Sequence, residues 1–256
     1  MLYIQKQRPS SKIRSGLKRV SESTQWKIIP QDDTKGLRDY FDLLPVKPEL
    51  RESLGKEQHG LCAYCMKRID SSDSLRVKIE HFVPLSKDKS HALDYDNFLL
   101  TCDGGTKSGD LSDKNRVLCC DSSKKDTPIT LNPTISHQME HIRYNKYGKI
   151  YYSDTNYPDF ADARNHEINH VLCLNGKWND AKNCTDLDTA TGIVKGRRDT
   201  YQAAITYIQR LEKKYRNLQI FRTVLEDEIQ KLQNANPYPE FVGVTLFVLK
   251  RKLKQL

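Results

Sequence analysis

The run Cys62-Ala63-Tyr64-Cys65 constrains this chain more than any other feature. Two cysteines at this spacing can turn both sulfurs onto one metal ion while backbone amides of the turn hydrogen-bond them, and zinc in a closed structural site needs four such ligands. Cys102 offers a third ligand, and the adjacent Cys119 and Cys120 offer two choices for the fourth. All of them lie between Leu61 and Pro133, a stretch dense in cysteine, glycine, serine and aspartate and weak in periodicity. A metal-clamped module is expected there. A redox role would need a thioredoxin-like setting, which is missing. Cys173 and Cys184 stand apart and read as packing residues. The start of the chain has no apolar core of signal-peptide length, and its longest strongly apolar stretch, Phe241 to Leu249, falls short of the about 20 residues needed to span a bilayer. The expected setting is the cytoplasm, without membrane contact, where clustered thiols stay reduced and favour metal over disulfides.

The 42 Lys+Arg against 33 Asp+Glu give a formal charge of +9, which points to a polyanionic partner, nucleic acid first, because neutralised phosphates release counterions. A length of 256 residues allows one large domain or two small ones and is ample for a hydrophobic core.

Around the cysteine segment the pattern is mostly helical. A short strand is expected at Leu2 to Gln5, followed by irregular chain to about residue 32, broken by Pro9 and Pro30. Thr34 can cap a helix carrying Leu37, Tyr40, Phe41 and Leu44, which Pro45 ends, and a second helix from Pro48 to about Gln58 stops at Gly60. Arg76 to Phe82 alternates as a strand does, Asn97 to Thr101 is a second short apolar run, Gly104, Gly105 and Gly109 mark a loop, and Asp121-Ser122-Ser123 can start a helix. A hairpin is expected between His141 and Tyr152 with Tyr147-Gly148 at its turn, and another turn at Asn175-Gly176. Apolar residues at helical spacing from Tyr201 through Leu211 and Leu218 to Leu232 predict a long helix that Asn236-Pro237 and Pro239 break, before a final one over Phe241 to Leu253.

Between the cysteines lie Ile79-Glu80-His81-Phe82-Val83-Pro84, then Asp94-Tyr95-Asp96-Asn97, then Cys120-Asp121-Ser122-Ser123-Lys124. These are the parts that metal-assisted phosphodiester hydrolysis requires. A hard cation such as Mg²⁺ takes oxygen ligands, which Glu80 and Asp121 can supply, with water and phosphate filling the rest. An imidazole titrates near neutrality and can take a proton from water, a role His81 can fill. Adjacent strand residues point oppositely, so Glu80 and His81 are expected at a bent or bulged point.

In this order the segment resembles an HNH (ββα-metal) endonuclease of the four-cysteine type. The resemblance implies that His81 is the general base, that Glu80 and Asp121 bind the catalytic metal, and that Asn97 orients the loop and the base. It makes Cys120, just before the third motif position, the fourth zinc ligand beside Cys62, Cys65 and Cys102, and lets Lys124 reach a phosphate one turn later. The third position is usually His or Asn, and the insert between Cys102 and Cys119 is long, so Asn115 within it is the fallback metal ligand.

A looser likeness extends further. Gly60-Leu61-Cys62-Ala63-Tyr64-Cys65, Ile79-Glu80-His81-Phe82-Val83-Pro84 and Leu131-Asn132-Pro133 look like the PtuB family, HNH nucleases of Septu and retron-associated anti-phage systems. That implies a PtuA-like ATPase partner, a defence role, DNA or RNA (transfer RNA included) as substrate, and, in a retron setting, a reverse transcriptase with its msDNA. The fold class expected is α+β: a ββα-metal HNH module with structural zinc, residues 60–133, embedded in a mostly helical body. Residues 1–59 form an N-terminal strand and helices, and 134–256 a hairpin and helical region for partner docking. The rival reading is a zinc-stabilised nucleic-acid-binding or adaptor protein that does not cut; the Glu80, His81 and Asp121 set favours the enzyme.

Overall fold

Short polar side chains decide where the first helices begin. In the computed structural model, which describes residues 1–108 and 111–256, Ser10, Ser23 and Asp33 each accept a backbone N–H of the first helical turn. They start α1 (Ser11–Glu22), α2 (Thr24–Ile28) and α3 (Thr34–Asp42). α4 (Lys47–Glu57) begins with Pro48 in its first turn, where a missing N–H costs nothing. The irregular chain expected up to residue 32 is thus largely helical. Ile13, Gly16, Leu17 and Val20 recur at helical spacing and are buried, a stripe that the polar composition hides. No strand forms at Leu2–Gln5; one rung remains, from Ile4 N–H to Pro133 O at 2.9 Å.

β1 (Val77–His81) pairs antiparallel with β2 (Phe98–Cys102), from Val77 opposite Cys102 to His81 opposite Phe98. The bulge expected at Glu80-His81 is absent; the register is regular through both residues. Every residue of β2 is buried, and its sheet packs on α4, whose Leu50 and Leu54 are fully enclosed. One turn of helix, α5 (Asp121–Lys124), follows Cys120 and completes a strand–strand–helix unit around the cysteines. Of the loop glycines, Gly104 and Gly105 sit in turns with positive φ, while Gly109 lies outside the described residues.

The rest of the chain runs α6 (Ser136–Glu140), β3 (Ile142–Tyr144), β4 (Ile150–Tyr152), α7 (Pro158–His166), β5 (Lys177–Asn179), β6 (Cys184–Leu187), α8 (Ile193–Lys214), α9 (Leu218–Gln233) and α10 (Val242–Leu253). β3 and β4 form the expected hairpin, and only glycine fits its turn: Gly148 has φ +84°, and a Cβ there would lie 2.3 Å from Val194 O. The long helix expected after Tyr201 is two helices. The chain leaves helical geometry at Tyr215, and Asn217 caps a new start by accepting from Ile220 N–H. Leu218, expected in the apolar stripe, is therefore exposed at the first turn of α9. α10 buries Val242, Val244 and Leu249 against α8 and α9 and also touches β3. One buried cluster runs from Ile4 and Leu17 through Leu50, Phe98 and Leu131 to Leu174, Leu225 and Leu249. The fold is α+β, with small two-stranded sheets set among helices. Among the described residues no helix is long and apolar enough to cross a membrane.

Candidate metal centre and catalytic cleft

The Sγ atoms of Cys62, Cys65, Cys102 and Cys120 lie within 4.8 Å of one another, and all four residues are buried. The pairs Cys62–Cys120, Cys65–Cys102 and Cys102–Cys120 are each 3.8 Å apart. Zinc–sulfur bonds of about 2.3 Å in a tetrahedron give sulfur–sulfur edges of about 3.8 Å. The donor set fits a metal such as zinc. Of the two adjacent cysteines, Cys120 joins this group; the Cys119 thiol lies outside it, 3.8 Å from Cys120 Sγ and 3.6 Å from Thr191 Oγ1.

The cluster depends on backbone geometry that few residues allow. After Cys102 the chain turns at Gly104, where a Cβ would meet Cys119 O at 2.1 Å, so a side chain is excluded. The first knuckle is pinned by Cys62 N–H to Lys67 O at 2.8 Å and by Ala63 N–H to Leu100 O at 3.1 Å. Gln58, fully enclosed behind it, donates to Leu61 O at 2.8 Å and Leu100 O at 2.7 Å and accepts from Leu100 N–H at 2.7 Å. A buried amide with every bond made ties the end of α4 to both the knuckle and β2. Sequence reasoning took Gln58 only as a helix end.

The clamp brings the start of α5 against β1. Glu80, His81, Asp121 and Lys78 border one cleft of about 330 Å³, with Arg38 and Arg51 also in its wall. Glu80 is buried, accepts from the Tyr64 hydroxyl at 3.2 Å and faces Lys124 Nζ at 2.7 Å. Burial and the neighbouring Asp121 carboxyl push Glu80 well above the usual carboxylate range, and Lys124 only partly opposes them. Asp121 is held below it: burial acts upward, but a hydrogen bond from Glu80 and the Lys78 ammonium, 3.3 Å away, outweigh it. Two crowded carboxyls that share a proton are a donor set that suits a hard divalent cation, which would let both ionise.

His81 is buried at the end of β1, its ring held edge-on by Phe41 at 4.5 Å and Phe98 at 5.0 Å between centroids. Its Nε2 lies 3.1 Å from Ala92 O. A carbonyl only accepts, so Nε2 carries the proton and Nδ1 is left with a lone pair. Burial lowers its pKa to about 4, so the ring is neutral near pH 7. Asn97 sits behind it: Oδ1 accepts from Val83 N–H at 2.7 Å, and Nδ2 donates to Val83 O at 3.1 Å and His91 O at 2.9 Å. These bonds close the loop between β1 and β2 that carries Ala92.

Lys124 is placed otherwise than the resemblance implied. Its side chain is 0% exposed and its Nζ lies 2.7 Å from Glu80 Oε1, so it offers no ammonium to a phosphate in this structure. Asn115 is exposed and borders a different hollow, away from Glu80. Tyr64, Lys78 and Arg51 were missed. Lys78 had a readable signal, since it lies two residues before Glu80 in a strand and shares its face. Tyr64 had none beyond its place between the cysteines. Arg51 Nε is buried without a hydrogen-bond partner beside the cleft.

No protein-family model matches the chain. Over 83 residues it is 35% identical to an Escherichia coli protein named "Retron Ec83 putative HNH endonuclease". The likeness covers 29% of this chain and 31% of that protein, so the chain spans under a third of the relative it matches.

Proposed function

We propose that this chain is a metal-dependent HNH endonuclease that hydrolyses phosphodiester bonds, with zinc as the structural metal of the four cysteines. The observation that carries the reading is the meeting of β1 and α5: Glu80, Asp121 and a neutral His81 border one cleft beside the four-cysteine cluster. The partial likeness to a protein named as a retron HNH endonuclease supports the same class. In this reading Glu80 and Asp121 hold Mg²⁺ or a similar ion, which when bound supplies charge neutralisation on the phosphate and leaving oxygen. His81 Nδ1 accepts the proton of the attacking water, and the carbonyl of Ala92 keeps the tautomer fixed. Asn97 positions that carbonyl through the loop it closes. Arg38 and Arg51 at the cleft wall face the substrate phosphates.

The module of residues 60–133 is then the cutting unit, with 1–59 supporting it and 134–256 available for docking. The PtuB likeness of the sequence supports a role in anti-phage defence with a PtuA-like ATPase and, in a retron setting, with a reverse transcriptase and its msDNA. The adaptor reading draws on one observation, the buried Lys124 ammonium that already lies 2.7 Å from Glu80 Oε1. Phage challenge of cells separates the two. With the ATPase co-expressed, wild-type chain should protect and His81→Ala should not, while the variant still accumulates as folded protein. Equal protection by both would favour the adaptor.

A further inference from the structure

A second hollow of about 620 Å³ lies beside the cleft, with α5 between them. Asp121 borders the cleft, Ser122 and Ser123 border the hollow, and Lys125 borders both. Asp121 and Ser122 are adjacent in α5, so the two hollows open on either side of the same helical turn. The hollow is of a size that small ligands fill, about 300–1,000 Å³.

Its chemistry is that of a nucleotide site. Arg116, Lys125 and Lys177 supply cations, and Arg116 Nη1 is buried with no hydrogen-bond partner. The acidic side chain in its wall, Asp180, is already engaged by Lys149 at 2.9 Å and by the indole N–H of Trp178 at 2.9 Å. Trp178 stands at the register shift that opens the β5–β6 pair, and Lys149 lies 4.6 Å from its ring centroid. An aromatic ring held this way, beside an unpaired guanidinium, offers a stack for a base and a fork for a phosphate.

We propose that this hollow holds an unpaired nucleotide of the substrate strand next to the bond to be cut, its base on Trp178 and its phosphate on Arg116. The proposal rests on the nuclease reading and adds to it a strand-holding site outside the HNH module, contributed by residues 116 and 170–180. It also makes an unpaired strand, rather than an intact duplex, the preferred ligand.

The test uses full-length His81→Ala protein, which should not cut, titrated with a short single-stranded DNA and an RNA of the same sequence. Intrinsic fluorescence reports Trp178, because the other of the two tryptophans, Trp26, is 5% exposed. Binding should quench it, and Trp178→Ala should weaken binding about 5- to 100-fold, as loss of one base–aromatic stack does. Trp178→Phe should retain most of the affinity, and Arg116→Ala should lower the salt slope by about one. Binding without quenching, or a folded Trp178→Ala protein with unchanged affinity, overturns the proposal and leaves the nuclease reading standing. Should Trp178→Ala not fold, the quench and the Phe variant decide alone. Failure of both single strands to bind at low salt while a duplex of the same sequence still binds overturns the proposal alone; failure of all three overturns the nuclease reading as well.

Discussion

Asn97→Asp is nearly isosteric and tests whether the loop behind His81 is held as described. The wild-type amide makes three bonds: it accepts from Val83 N–H and donates to Val83 O and His91 O. A carboxylate keeps the first and turns the other two into oxygen–oxygen contacts inside a site where Asn97 is 6% exposed. Each lost net hydrogen bond costs about 1 kcal/mol, and each buried acceptor left without a donor adds about 1–3 kcal/mol. The expected loss is about 3–6 kcal/mol after some relaxation. Urea unfolding at fixed saturating zinc reads this directly, and metal analysis of the folded fraction should still find zinc, since the cysteine cluster does not use Asn97. Cleavage should fall well beyond the loss of folded protein, because Ala92 O, which fixes the His81 tautomer, lies in the released loop. A loss under about 1 kcal/mol for Asn97→Asp would refute the reasoning.

Other consequences follow from the same geometry. Cys120→Ser should lose bound zinc while Cys119→Ser keeps it, checked by metal analysis of purified protein; the reverse result would move α5 by one residue. Chelation of zinc should unfold the module, with loss of circular dichroism on adding a strong chelator, because the metal's binding energy is folding energy. Gln58→Ala should cost at least about 3 kcal/mol in denaturant, because it removes three buried bonds and leaves their backbone partners unsatisfied. Removing residues from Pro237 onward should yield insoluble protein and not a folded chain that merely releases a partner, because Val242, Val244 and Leu249 are fully buried on α8 and α9; a soluble, folded truncation would contradict this packing.

What could be read from the chain was what chemistry marks locally. The CxxC spacing, the Glu80-His81 pair, Pro48 at the start of α4 and Gly148 in the β3–β4 turn each carry their own signal, whereas the cap of α3 is Asp33 and not the expected Thr34, and the helix ends at Asp42, short of Leu44. Between Cys119 and Cys120, residue chemistry alone left the choice open, because adjacent cysteines differ only in which way the backbone turns. Cys120 has φ +56° and Cys119 faces Thr191, a partner 72 residues away. The same holds for Lys124. A lysine one turn into a helix reads as a solvated cation, and only the tertiary fold shows it enclosed against Glu80. α1 and α2 were missed because their apolar stripe is thin and set among many charges. The split of α8 and α9 was missed because the apolar spacing continues across Tyr215 while the backbone does not.

The central claim is that Glu80, His81 and Asp121 make a cutting site. Its most direct test is cleavage of a supercoiled plasmid and of total transfer RNA by purified wild type, His81→Ala and Glu80→Ala, with Mg²⁺ added or chelated and with the proposed ATPase partner added or left out. Wild type should cut one of the two only with the divalent ion. His81→Ala should lose about 10²–10⁴-fold in rate, as removal of a general base does, with zinc content and oligonucleotide affinity kept, and Glu80→Ala should lose both cutting and its Mg²⁺ response. Cleavage by His81→Ala at the wild-type rate would contradict the account and leave the zinc-stabilised adaptor as the better description.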